Sequence, residues 1–301
     1  LLGQMRPGLV QLEIGVQSTN PETLKAIHRP TDLGKIRYTT ARINEGKNIH
    51  QHLDLIAGLP FEDFASFQNS FNQVYAMRPE QLQLGFLKVL NGSPMEAMAN
   101  GYGIVSSPNP PYEVLFTPWL SYKEVLALKG VEEMVEIHYN SRQFVTAMSL
   151  LEREFASPYE MFEALARYYE REGLDRLSHS RMARFEILWN FISGLGLGAE
   201  TMEEYRDALM TDLYLRENAK SRPSFARAPS YARQQAVRLL NGREENPPVL
   251  MEYRQMDSGQ RARLFHLEEM RDGSLLLFDY RRRDPLSYNA VCWEIQIHAP
   301  S

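Results

Sequence analysis

The chain has 301 residues, a formal net charge of −5, and 44% hydrophobic and 24% charged residues. That composition suits a globular protein with one large core or two ordinary ones. The acidic balance argues against a general nucleic-acid binder, which needs a basic surplus to neutralise phosphates, and leaves room for local basic patches.

No apolar run reaches membrane-spanning length and no signal peptide is read at the start, so a cytoplasmic location is expected by default. The single cysteine, Cys292, excludes a disulfide framework and an internal thiolate metal cage. It lies in the strand-like run NAVCWEIQI, where a small buried hydrophobe is the favoured reading over a nucleophile. Of the histidines only His50 and His52 lie close together, and placement in a β wall is a commoner outcome for such a pair than metal ligation. No metal site is assigned.

Three runs, VQLEIGVQ, IHQHLDLIAG and QLQLGFLKVL, alternate with period two. The first sets Val10, Leu12, Ile14 and Val16 against Gln11, Glu13, Gly15 and Gln17; the second sets Leu53, Leu55 and Ala57 against His52, Asp54 and Ile56; the third sets Leu82, Leu84 and Phe86 against Gln81, Gln83 and Gly85. The connections between runs are too long for hairpins and long enough for crossover helices, so parallel strands are predicted. Helices would cover the apolar face, leaving the polar face to look into the lumen of an open or closed β/α barrel that holds a polar ligand. A misread edge sheet with a wet face is the alternative. Three β/α units cannot close a barrel of the usual size, so the chain is expected to be the C-terminal piece of a longer polypeptide.

Along the chain, Asn20-Pro21-Glu22 reads as a helix start, and Asp32 caps a second helix that stops near Gly46. An amphipathic helix follows Asp63, and a short one runs from Met95 to Ala99. Between Gly101 and Trp119, Pro108, Pro110, Pro111 and Pro118 argue against regular structure and mark a domain boundary. Ser121 and Glu124 form a capping-box pattern before the next helix. Further helices are predicted over 142–155, 159–172, 180–192 and 202–218, with the 194–198 glycine run as a helix connection rather than a dinucleotide loop. Arginines with Phe225 and Tyr231 over 222–243 suit either a phosphate or nucleic-acid clamp or a solvated helix, the second being commoner. RARLFHLEE, a turn at Asp272-Gly273, SLLLFDYRR and NAVCWEIQI predict a small antiparallel sheet. The expected domains are thus 1–105 (half of a β/α barrel), 106–260 (helical) and 261–301 (a small sheet packed on the helices).

Gln17 and Asp54 stand at the C-terminal ends of the first two strands, where parallel β/α sheets bind ligands, and Arg29 follows the first strand. An amide, a carboxylate and a guanidinium suit an amino acid joined to a ribose, with Arg29 on a carboxylate and Asp54 on sugar hydroxyls. Taken singly, each has a structural alternative, such as an ion pair or a cap.

EIGVQS, then TLKAIHRP, then DLIAGLPFED, resembles the second half of a radical S-adenosylmethionine (SAM) barrel of the type in oxygen-independent coproporphyrinogen oxidases and cobalamin-dependent radical enzymes. The resemblance spans roughly Gln11 to Pro94. FTPWLSYKE, DLYLREN and FDYRRRDPL look like the C-terminal domain of uncharacterised members that carry a cobalamin-binding domain. The resemblance implies SAM contacts from Gln17, Arg29 (methionyl carboxylate), Asp54 and Ile56 (ribose and adenine), and from the backbone near Leu87.

It also implies a [4Fe-4S] cluster held by CxxxCxxC and serving SAM cleavage, together with a reductant; cobalamin is a further option, which would make methyl transfer plausible. This sequence has no such cysteine triplet, so the cluster ligands and any cobalamin domain are expected on an N-terminal part of the same polypeptide, and this chain alone is expected to be inactive. The competing expectations are a non-catalytic protein- or RNA-binding module on a barrel scaffold and a coproporphyrinogen-oxidase-like heme-pathway enzyme. Catalytic residues, the substrate and oligomeric state stay unassigned.

Overall fold

The computed structural model describes residues 2–175, 177–228, 230 and 256–295. The chain divides into two compact units, Leu1–Ser141 with Glu152–Arg176, and Arg142–Leu151 with Leu177–Ser301.

The first unit is built on a parallel sheet in the order β1 (Gln11–Gln17), β2 (His50–Ala57), β3 (Gln81–Phe86). Helices α1 (Pro21–Ala26) and α2 (Leu33–Gly46) connect the first two strands, and α3 (Phe64–Tyr75) connects the second two. The alternation read in the sequence is the alternation of burial: Leu53, Leu55, Ala57, Leu82, Leu84 and Phe86 are buried, whereas His52, Asp54 and Ile56 are half-buried and Gln83 is exposed. Each crossover helix starts where a short polar side chain accepts an otherwise orphaned backbone N–H: Asn20 from Glu22, Asp32 from Lys35, Asp63 from Ser66. β3 ends at Phe86, short of the run read as a strand, because Leu87 and Val89 turn away to hydrogen-bond with the 112–114 segment.

After α4 (Pro94–Tyr102), the proline-rich stretch holds an antiparallel pair, β4 (Val105–Ser106) and β5 (Val114–Phe116), where no regular structure was expected. The prolines fall between and beyond these strands, so the ladder loses no donor to them. α5 (Tyr122–Val135) begins with the complete Ser121/Glu124 capping box and continues into a π-helical turn, Glu136–Asn140. From that turn the Asn140 amide accepts the Leu82 N–H at 2.9 Å and donates to the Leu82 carbonyl at 3.0 Å, occupying the outer edge of β3. β1 carries no strand on its outer edge among the described residues.

α6 (Val145–Leu151) belongs to the second unit, while α7 (Pro158–Arg171) returns to the first and packs on α3 and α5. Phe71 is fully buried there, with ring centroids of Tyr75, Tyr159 and Phe162 within 5.9 Å. This aromatic cluster is why the compact units do not divide at the expected 105/106 boundary: α5 and α7 complete the core of the sheet.

In the second unit α6 packs on α9 (Ala199–Arg216), which also packs on α8 (Arg181–Ser193) and on the antiparallel sheet β6 (Phe265–Glu269), β7 (Leu275–Arg283), β8 (Ala290–Ile295). The glycine run connects α8 to α9, and the Asp272-Gly273 turn joins β6 to β7 with Gly273 at φ 81°. The strand expected from Arg261 begins only at Phe265, since Ser258–Leu264 is helical. Asp257 and Gln260 cap that helix reciprocally, each side chain accepting the other's backbone N–H. α6 is shorter than the predicted 142–155, and the last part of that span is a 3₁₀ turn, Glu152–Glu154, in the first unit. Among the described residues no helix is long and apolar enough to cross a membrane.

Candidate functional site

β1 carries one more residue than its pairing with β2 needs: Gly15 lies opposite Asp54 and Gln17 opposite Leu55, with the register shift between them. Val16, the intervening residue, is fully buried on the helix-covered face. Gln17 absorbs the irregularity with φ 69°, a left-handed conformation costing a non-glycine residue on the order of 1 kcal/mol or more. The bulge places the Gln17 amide within reach of β2, where Nε2 donates to Asp54 Oδ2 at 3.0 Å.

Arg29, at the end of the α1 turn, reaches back to donate from Nη2 to the Gly15 carbonyl at 2.9 Å. The other N–H groups of this exposed guanidinium have no partner among the described residues. Burial pushes the Asp54 carboxyl up from its ordinary range, and the Arg29 charge opposes that shift. The structure thus brings three of the five expected site residues, Gln17, Arg29 and Asp54, to one place at the C-terminal ends of parallel strands.

Gly15 makes the arrangement possible. A Cβ there would stand 2.7 Å from Arg29 Nη2 and 2.8 Å from Gln17 Nε2. Gly15→Ala is therefore expected to displace both polar groups while leaving the fold in place, because the atoms it meets are ends of flexible side chains. A crystal structure of the variant with the Gln17–Asp54 and Arg29–Gly15 bonds both intact would contradict this.

Ile56 sits two residues beyond Asp54 on the same face, opposite Gly85 of β3, where the absent side chain leaves room beside it. Leu87 is buried, its N–H already donated to the Ala57 carbonyl and its own carbonyl accepting from Val114. Towards the N-terminal ends of the strands the polar face continues with Gln11, whose amide lies 3.1 Å from His52 Nδ1 and 3.1 Å from Glu13. Burial lowers the His52 pKa, with Glu13 acting against it. Among the described residues no group of three or more potential metal ligands occurs. Beside α1 an open depression of about 550 Å³ takes in Lys25, His28 and Arg29 with apolar walls from Leu24 and Leu33, adding a basic flank next to Arg29.

Sequence reasoning missed a buried hub just behind this site. Glu62, 1% exposed, accepts from the Ser18 hydroxyl at 2.7 Å and from the Ser70 hydroxyl at 2.9 Å on the same oxygen. The available signal was a charged residue between a Gly-Leu-Pro turn and a helix cap, a place that otherwise calls for solvent.

In the second unit a cavity of about 600 Å³ is lined by Arg222, Arg227, Arg271, Glu203 and Glu268. Its arginines are engaged: Arg222 grips both Glu268 oxygens at 2.7 and 2.6 Å, and Arg227 bonds Glu203 and Asp207. Arg222 and Arg227 are accordingly ion-pair members rather than an open anion clamp, and Tyr231 with the arginines up to 243 lies outside the described residues. Cys292 is half-buried and its thiol is pushed up to about 11 by burial, which suits an inert side chain.

The fold and site define a mixed α/β protein with a polar cluster at the C-terminal ends of a parallel sheet, joined to a unit of helices and an antiparallel sheet. Residues 100–277 match the family described as a protein of unknown function, DUF4080, and the chain belongs to that family. No curated protein matches its sequence. Among solved structures, one similar chain is coproporphyrinogen III oxidase (HemN) from Escherichia coli, described as a radical SAM enzyme: 19% identity, TM-score 0.27, covering 41% of this chain and 33% of that one. The present chain thus spans about a third of the length of that protein.

Proposed function

We propose that the first unit supplies one side of an S-adenosylmethionine pocket in a radical SAM enzyme, the remainder of the site coming from protein outside this chain. The observation that carries the reading is the convergence of Gln17, Asp54 and Arg29 on the polar face, over the strand ends where β/α sheets hold ligands. Asp54 offers acceptors for vicinal sugar hydroxyls, Gln17 orients that carboxylate, and the unpaired N–H groups of Arg29 suit an α-carboxylate. Ile56 gives an apolar surface for a base on the same strand. The backbone of Leu87 is already paired within the unit, so contact there would use the remaining lone pair of its carbonyl.

The residues present do not fit an iron–sulfur cluster: the single cysteine lies in β8 of the other unit, and no step through a cluster is derived for this chain. Bound SAM would supply a sulfonium and a nucleoside; this chain's residues would bind and orient it and keep water from one side. Among the described residues the outer edge of β1 carries no strand, and further parallel strands of a barrel would add there, so an N-terminal part of the same polypeptide is the first partner of this reading. Cobalamin use and the substrate are not specified by these residues.

The test uses the full-length protein, prepared anaerobically. Arg29→Ala and Asp54→Ala are each expected to weaken SAM binding about tenfold or more in calorimetry, the scale of one charge-assisted hydrogen bond, and 5′-deoxyadenosine should be released by the parent protein with a reductant. Unchanged affinity in both variants would overturn the assignment.

A further inference from the structure

The bulge and the left-handed Gln17 need something to hold them, and the structure provides it from behind. Ser18, the next residue, is fully buried; its hydroxyl donates to Glu62 and accepts the Asn20 N–H at 2.9 Å, which fixes the turn leaving β1. Thr19 is tied to the same place, its N–H and its hydroxyl both meeting the Ser70 hydroxyl, at 3.1 and 3.0 Å. Ser70 in turn donates to Glu62. One carboxyl oxygen thus gathers the β1–α1 turn and α3 into a single polar knot inside the core.

The second oxygen, Glu62 Oε2, is buried and has no hydrogen-bond partner among the described residues. Among the described residues no cation acts on the group, and Asp63 is the charge that does; its other contacts from the β1–α1 turn and from α3 are the Ser18 and Ser70 hydroxyls.

We propose that Glu62 is a positioning residue for the ligand site: through Ser18 it holds Gln17 in the backbone conformation that delivers its amide to Asp54, and because both hydroxyls donate to one carboxyl oxygen, gain or loss of the Glu62 proton changes the strength of that hold and is felt at the Gln17–Asp54 pair. The role presupposes that Gln17 and Asp54 bind ligand as proposed above. Its physical test does not.

Burial pushes the Glu62 carboxyl up to about 7, from an ordinary value of 4.5, with the two hydroxyl donations opposing. The folded state therefore keeps a proton that the unfolded chain releases. The stabilisation is complete below 4.5 and is lost as the pH rises through about 7. Asp212, in the second unit, is likewise raised by burial to about 7 and acts with the same sign, so global unfolding against pH does not isolate Glu62. A local readout at Gln17 does.

The experiment follows the Gln17 side-chain amide signals of the ¹⁵N-labelled full chain by NMR from pH 5 to 9, assigned by their loss in Gln17→Ala. In the wild type the signals are expected to move with a midpoint near 7, accompanied by the Thr19 and Asn20 backbone amides. In Glu62→Gln, which keeps the acceptor for both hydroxyls, that step should vanish and the signals should stay at the wild-type low-pH position. Asp54 and His52, on the same face of β2, remain in this variant, so any movement that survives belongs to them.

Glu62→Ala should bring the Gln17 amide to the position of a solvent-exposed glutamine; where this variant does not fold, the Gln variant decides alone. Gln17 signals that are flat in the wild type, or a Glu62→Gln variant with an unchanged step near 7, would overturn the proposal. Should SAM fail to bind the full-length protein while the Gln17 step behaves as expected, the ligand assignment falls and the positioning role of Glu62 stands.

Discussion

Replacing Phe71 by alanine is expected to destabilise the first unit by about 3–5 kcal/mol, the range for removing a fully buried phenylalanine. The side chain is completely inaccessible and its ring is boxed by three others, at centroid distances of 5.9 Å (Tyr75), 5.6 Å (Tyr159) and 5.8 Å (Phe162). Two of these come from α7 and one from α3 itself, so the cavity would lie where the sheet's helical cover meets its second layer. Tyr75 is fixed by a hydrogen bond to Glu152, which Arg78 grips with both nitrogens, and the Tyr159 N–H donates to Asn72 at 2.9 Å. These ties stop the walls from collapsing into the gap, which puts the expected cost at the upper end of the range. Denaturant unfolding of the purified variant measures it. A loss below about 1.5 kcal/mol, the scale of a tolerated core swap, would mean that the cluster is not packed as described.

The second large effect is expected at Asp212. This residue of α9 is 2% exposed, and its two oxygens accept the backbone N–H groups of Thr146 and Ala147, each at 2.9 Å, at the start of α6. A helix's first N–H groups have no partner within the helix. In α6 a carboxylate from another helix serves them, where most of the described helices use a serine, asparagine or aspartate just before their own start. Asp212→Ala strips both donors of their acceptor in a dry environment, at roughly 1–3 kcal/mol for each buried group left unpaired.

Asp212→Asn is expected to be harmful too, because its NH₂ would face an N–H. The check is hydrogen exchange: α6 amides should lose protection in both variants. Unchanged protection at Thr146 and Ala147 would contradict the assigned role.

How much of this was legible beforehand depends on how local the cause is. The alternation in β2 and β3, the caps at Asn20 and Asp32, the helix following Asp63 and the Ser121/Glu124 box are set by residues within four positions of one another, and each is legible in the sequence. The convergence of Gln17, Arg29 and Asp54 was legible because parallel strands with helical crossovers bring strand ends together whatever the detailed packing. The bulge after Gly15 was not, since it depends on Val16 being drawn into the core. Nor was the membership of α5 and α7: their apolar faces fit any helical partner, and only the placement of Phe71, Tyr159 and Phe162 reveals which one. The helix at Ser258–Leu264 was not legible from RARLFHLEE, whose alternation suits a strand; what starts the helix is the reciprocal capping of Asp257 and Gln260.

The π-helical turn that delivers Asn140 to Leu82 has a consequence for assembly. One flank of the sheet is blocked by an amide that copies a neighbouring strand, while among the described residues no strand lies on the flank at β1. Sideways growth can then proceed in a single direction, and any polypeptide that joins must arrive beside Gln11–Gln17. Where nothing else occupies that flank, two copies meeting there would satisfy each other and leave no further place to extend, so self-association by this route stops at a pair.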